Sequence, residues 1–115
     1  MTSLLSEYSA YDRFKRLFDD AENEIRNCER ISLETAVPSI NELRYAGRHF
    51  LNATGRELNK EEQSQQFEKA ERHCQRAIFD AKETIILTLL DFLADFQDCY
   101  YSSDELQKYL PALIR

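Results

Sequence analysis

The chain has 115 residues, 43% of them hydrophobic and 31% charged, which is enough for one buried core and too few for two independent ones. Only two glycines and two prolines are present, leaving little material for β-turns, flexible linkers or phosphate-cradling glycine loops and favouring helices over sheets. With 15 basic against 21 acidic residues the net charge is −6, an acidic balance that disfavours sequence-independent nucleic-acid binding.

The first predicted helix covers about residues 6–31. Tyr11, Phe14, Phe18, Ala21, Ile25 and Cys28 recur at spacings of 3, 4, 3, 4 and 3, with Leu4 one heptad before Tyr11, and so form one apolar seam. Charged residues such as Asp12, Arg16, Asp19, Glu22 and Arg26 fill the opposite face. Residues 32–38 break the pattern, and Pro38, with no amide to donate, sets a second helix over 39–54. Ser39-x-x-Glu42 has the form of a capping box at its start. Ile40, Leu43, Gly47 and Phe50 make its seam, with Ala46 and Leu51 beside it. A glycine there costs about 1 kcal/mol of propensity against alanine, which the close approach of another backbone would explain. Gly55 follows where a left-handed C-terminal cap is wanted.

A second capping box, Asn59-x-x-Glu62, opens a third helix that no glycine or proline interrupts, predicted over 60–100. Its first half carries a narrow seam of mostly small residues: Phe67, Ala70, Cys74, Ala77 and Ala81. Its second half is apolar around most of the circumference, from Ile85 to Phe96, and a helix of that kind needs cover on several sides. The stripe Ile86, Leu89, Leu90, Leu93 and Tyr100 is therefore expected to be a self-association surface of coiled-coil type, joining a homodimer or docking another helical protein. A membrane span is not expected, because Asp91 and Asp95 interrupt a run already too short. Ser102-x-x-Glu105 then caps a short helix over 103–110 with Leu106, Tyr109 and Leu110, ending near Pro111.

These elements predict an all-α fold: one domain over 1–115, an antiparallel helical bundle in which the second and third helices form a hairpin about a loop near Glu57, the first packs along them, and the short C-terminal helix closes one end. Cys28, Cys74 and Cys99 are odd in number, widely spaced and in register with apolar neighbours, so they are read as small buried hydrophobes rather than a disulfide framework. With no secretory signal pattern, a cytoplasmic location is expected.

The chemistry-bearing residues gather in two places. Arg44, Arg48 and His49 lie on the second helix and Arg72, His73 and Arg76 on the third, and a hairpin would make the two groups neighbours. Together they are candidates for an anion or nucleotide site, with forked guanidinium donors at i and i+4 and a titratable imidazole. The plainer expectation is that these arginines pair with Glu42, Glu68, Glu71, Asp80 and Glu83. The run Arg44-Tyr45-Ala46-Gly47-Arg48-His49 is Arg-x4-His and resembles the motif of the HEPN group of small helical-bundle ribonucleases. The resemblance implies a dimer cleft that cleaves RNA without a metal, in which Arg44 stabilises the phosphorane charge and His49 acts as acid or base. No metal site is expected, since Glu-x-x-His is absent and Glu42/His49 and His73/Asp80 are each seven residues apart, too far along a helix to chelate one ion. No cofactor motif and no nucleophile–base pairing occurs. The reading reached is a non-enzymatic interaction or self-assembly module, with the metal-independent ribonuclease and the anion binder as alternatives.

Overall fold

The computed structural model describes residues 2–55 and 58–101, with side-chain surroundings for 9–55 and 58–100. The protein is all-α. Three helices, α1 (Thr2–Ser32), α2 (Val37–Ala53) and α3 (Lys60–Tyr101), account for the described chain, and no strand occurs among the described residues. The helix expected over 103–110, its Ser102 cap, the loop residue Glu57 and the surroundings of Leu4 lie outside the described residues. The chain divides into two compact units, Met1–Ile85 and Ile86–Arg115.

Each helix end has an identifiable cause. α1 stops where Leu33 takes a left-handed conformation (φ 59°) and donates its amide to the Glu29 carbonyl at 2.9 Å. A residue with a Cβ pays about 1 kcal/mol for that conformation, and no glycine stands there to avoid it. Glu29 also reaches forward: its carboxylate accepts the Ala36 amide at 3.1 Å, bridging the turn into α2. α2 begins two residues before the expected Ser39, with Pro38 in the first turn, where a missing amide removes no helical bond. Ala36 precedes the helix and provides no side-chain cap. At the other end, Thr54 Oγ1 donates to the Phe50 and Leu51 carbonyls at 3.2 and 3.1 Å. Gly55 is not the left-handed cap expected, since neither glycine has a positive φ. α3 opens as its sequence indicates, with Asn59 Oδ1 accepting the Glu62 amide at 2.8 Å and Asn59 Nδ2 donating to Glu62 Oε1 at 3.3 Å.

In the first unit the three helices share a core built from small and aromatic residues. Phe14, Ala46, Ala70 and Cys74 form its middle, lined by Leu17, Phe18, Leu43 and Phe50. Ile25, Cys28, Ala36 and Ala81 form one end, and Ala10, Ala53 and Phe67 the other. Phe50 ties the middle to the Phe67 end, its ring stacked on Phe14 at 4.7 Å and edge-on to Phe67 at 6.0 Å, and Leu43 ties the middle to the Ile25 end. Each buried phenylalanine contributes roughly 2–3 kcal/mol by leaving water.

The α2 seam is rotated from the one expected. Ser39, Ala46 and Ala53, seven residues apart, are its buried line, while Leu43 and Phe50 are half-buried and Ile40 is exposed. Small residues therefore face the small residues of α3. Ser39 is not a cap: it is 2% exposed and its hydroxyl donates to the Ala77 carbonyl of α3 at 2.9 Å. Gly47 is beside this line, and a Cβ built on it would meet nothing within 4 Å, so no close backbone approach accounts for it. Of the cysteines, Cys28 and Cys74 are buried as expected, but Cys99 is exposed.

Candidate functional site

The order of contacts along α2 and α3 determines which polar residues meet. Ser39 meets Ala77, Glu42 meets His73, His49 meets Gln66, and the Ala53 carbonyl accepts from Gln63 Nε2 at 2.9 Å, so partners on α3 fall in number as those on α2 rise. This register brings the chain's two histidines together. Their rings stack with centroids 5.1 Å apart and planes 7° from parallel. The ring of Tyr45 also lies against His73, its centroid 5.5 Å away and its plane tilted by 36°, so Tyr45, His73 and His49 form a three-ring cluster at the seam between the two helices.

Each imidazole is held through Nδ1. His73 Nδ1 is 2.6 Å from Glu42 Oε2, and His49 Nδ1 is 2.8 Å from Gln66 Oε1. Both partner atoms accept only, which makes each Nδ1 the protonated donor and leaves Nε2 as the variable nitrogen. Asn52 Nδ2 donates to the same Gln66 oxygen at 3.5 Å, consistent with that amide orientation. Glu42 and His73 are both about one-fifth exposed, so this hydrogen-bonded pair is partly shielded from solvent.

The arginines of the cluster behave differently from those of α1. Arg13 pairs with Glu71 at 3.2 Å, Arg16 with Asp12 and Arg26 with Glu22 at 3.9 Å, and Arg30 donates to Asn27. Arg44, Arg48, Arg72 and Arg76 are exposed and form no ion pair among the described residues. Of the five expected carboxylate partners, Glu42 is taken by His73 and Glu71 by Arg13, while Glu68, Asp80 and Glu83 form no ion pair among the described residues. Arg44 instead lies near Tyr45, its guanidinium carbon 6.0 Å from the ring centroid. Arg44 and His49 are five residues apart on one helix, about 140° around its axis, and the structure records no contact between them. Among the described residues, no group of three His, Cys, Asp or Glu side chains stands where it could hold a metal ion.

The expected association stripe lies in the second unit. Ile86, Leu87, Leu89, Leu90, Phe92, Leu93 and Phe96 are each between 46% and 66% exposed. Tyr100 is partly covered, its ring 4.0 Å from that of Phe96. Leu87, Phe92 and Phe96 were not part of the expected stripe, although the crowding of apolar residues around the helix was its signal. No helix among the described residues is long and apolar enough to cross a membrane. Comparison of the chain with protein-family models, with curated proteins and with solved structures gives no match.

Proposed function

We propose that this chain is a non-enzymatic assembly module, in which the apolar second half of α3 joins two copies side by side in the manner of a coiled coil. The observation that carries this is the set of seven large apolar side chains from Ile86 to Phe96, each about half exposed in the single chain. Covering the exposed half of such a side chain contributes about 1 kcal/mol. Over the stripe of Ile86, Leu89, Leu90 and Leu93 on each of two copies, the sum is of the order needed to offset the cost of association. Asp91 and Asp95 break the run and set which turns of the two helices can face each other.

The architecture that fits this role is an antiparallel bundle. The descending order of partners between α2 and α3 supports that arrangement. The partner is a second copy rather than nucleic acid, given the net charge of −6. The setting is the cytoplasm, where the buried thiols Cys28 and Cys74 stay reduced. The ribonuclease reading keeps only its motif, Arg44 and His49, and no geometric observation favours it.

Sedimentation velocity on the native chain and on Leu90→Asp tests the proposal, with far-ultraviolet circular dichroism to confirm equal helix content. A dimer in the native chain and a folded monomer in the variant are expected. Identical sedimentation of the two would end the reading.

A further inference from the structure

We propose that the outer face of the α2–α3 seam, around the rings of Tyr45, His73 and His49, is a binding site for a phosphate monoester. The argument is independent of assembly, since every residue it uses belongs to the first compact unit.

The first observation is an imbalance of charge. In a chain of net charge −6, carboxylates outnumber basic groups, and every arginine of α1 has a side-chain acceptor. The seam is the exception. Glu68 is four residues before Arg72 and Asp80 four after Arg76, the spacing at which helical ion pairs close, yet neither pair forms. Glu42, on α2 with Arg44 and Arg48, is already held by His73. Arg44, Arg48, Arg72 and Arg76 therefore keep guanidinium donors that no carboxylate takes among the described residues, open to an oxyanion.

The second observation is that the imidazoles are built to present one nitrogen each. Glu42 and Gln66 hold Nδ1 of His73 and His49 and fix both rings, and no residue of the described chain takes either Nε2. An Nε2 that carries a proton donates to a phosphate oxygen. One that does not accepts from a phosphate hydroxyl. Both states therefore serve a phosphate monoester, which carries oxygens and a titratable hydroxyl on one centre.

The third observation is one of helical register. Arg48 is three residues after Tyr45 and Arg76 three after His73, so each shares a helical face with one of the rings. Arg44 already lies near the Tyr45 ring. Forked guanidinium donors and ring nitrogens drawn from two helices suit a tetrahedral oxyanion better than a planar carboxylate, which one fork would satisfy.

Isothermal titration calorimetry with inorganic phosphate and with adenosine 5′-monophosphate, at constant ionic strength set by chloride, tests the site. The native chain, Arg48→Ala/Arg76→Ala and the α1 control Arg16→Ala/Arg26→Ala are compared. The expected result is saturable binding to the native chain, at least tenfold weaker in the seam variant and unchanged in the control. Tighter binding of the nucleotide would add Tyr45 as a base contact, and equal binding would leave phosphate as the recognised group; both support the site. No saturable binding, or equal weakening in the two double variants, would overturn it, because the second outcome is what diffuse surface charge gives. Circular dichroism confirms that the exposed substitutions leave the fold intact.

Discussion

Alkaline pH should unfold this protein through a single buried thiol. Cys74 sits at the centre of the core with no exposed surface, packed with Phe14, Ala46 and Ala70. Burial, with a smaller contribution from the neighbouring Glu71 charge, pushes its pKa from the ordinary 9.0 up to about 12. The folded state then keeps a proton that the unfolded chain gives up first. Stability is whole below pH 9 and falls as pH rises towards 12, by about 1.4 kcal/mol per unit. At pH 10.5 the loss is about 2 kcal/mol, a large share of the stability of a small domain. Other groups titrate in the same range, so the native chain is compared with Cys74→Ala by urea unfolding at pH 7.5, 9 and 10.5. At pH 7.5 the variant should be less stable by about 1 kcal/mol for the lost sulfur packing. By pH 10.5 the gap should close or reverse, moving by about 2 kcal/mol in the variant's favour. A gap that stays constant across the three pH values would refute the reasoning.

Three backbone and packing predictions follow from the same unit. Gly47→Ala should raise stability by about 0.5–1 kcal/mol, since the added methyl meets nothing within 4 Å and the helix gains propensity; thermal unfolding reads the change, and a loss would mean the site is tighter than it looks. Leu33→Gly should raise stability by about 0.5–1 kcal/mol by relieving the left-handed conformation of a residue that is 87% exposed and has little packing to lose. Urea unfolding that gives a decrease would show that the Leu33 side chain contributes more than its exposure suggests. Ser39→Ala should cost about 1 kcal/mol through loss of the 2.9 Å bond to the Ala77 carbonyl, and an unchanged urea midpoint would remove that bond from the account.

Much of the fold was legible because helical periodicity records burial directly. Phe14, Ala21, Ile25 and Cys28 on α1, and Phe67, Ala70, Cys74, Ala77 and Ala81 on α3, were expected to be buried and are. The α1 seam was less exact at its edges: Tyr11 is exposed and Phe18 half-buried, because a 3–4 spacing drifts slowly around a helix of 3.6 residues per turn. On α2 the pattern pointed one residue away from the true line. Large residues dominate a hydrophobic pattern, but the residues that pack most deeply there are Ser39, Ala46 and Ala53, whose small size is what admits α3.

Local motifs were legible only where the chain alone decides them. Asn59-x-x-Glu62 caps α3, whereas Ser39-x-x-Glu42 has the same form and does not cap, because α2 already begins at Val37 and the Ser39 hydroxyl finds a carbonyl across the interface. Gly55 and Leu33 show the converse: the residue suited to a left-handed turn does not adopt one, and an unsuited residue does. At the seam, the sequence suggested that the two Arg/His groups are neighbours. It carried no signal for the parallel stacking of His49 on His73, for Glu42 and Gln66 as the groups that hold them, or for the arginines without carboxylates. Those features depend on the exact register of two helices, which no spacing within either one specifies.

The central claim is that the apolar half of α3 is an interface between copies. Its most direct test is the solution mass by light scattering over a dilution series, on the native chain and on Leu93→Asp, a change at a side chain 54% exposed in the single chain. The account predicts a native mass near twice 13.6 kDa that falls towards the single-chain value on dilution, and a variant that keeps its helix content but remains at the single-chain mass throughout. A native chain of single-chain mass at every concentration would contradict it.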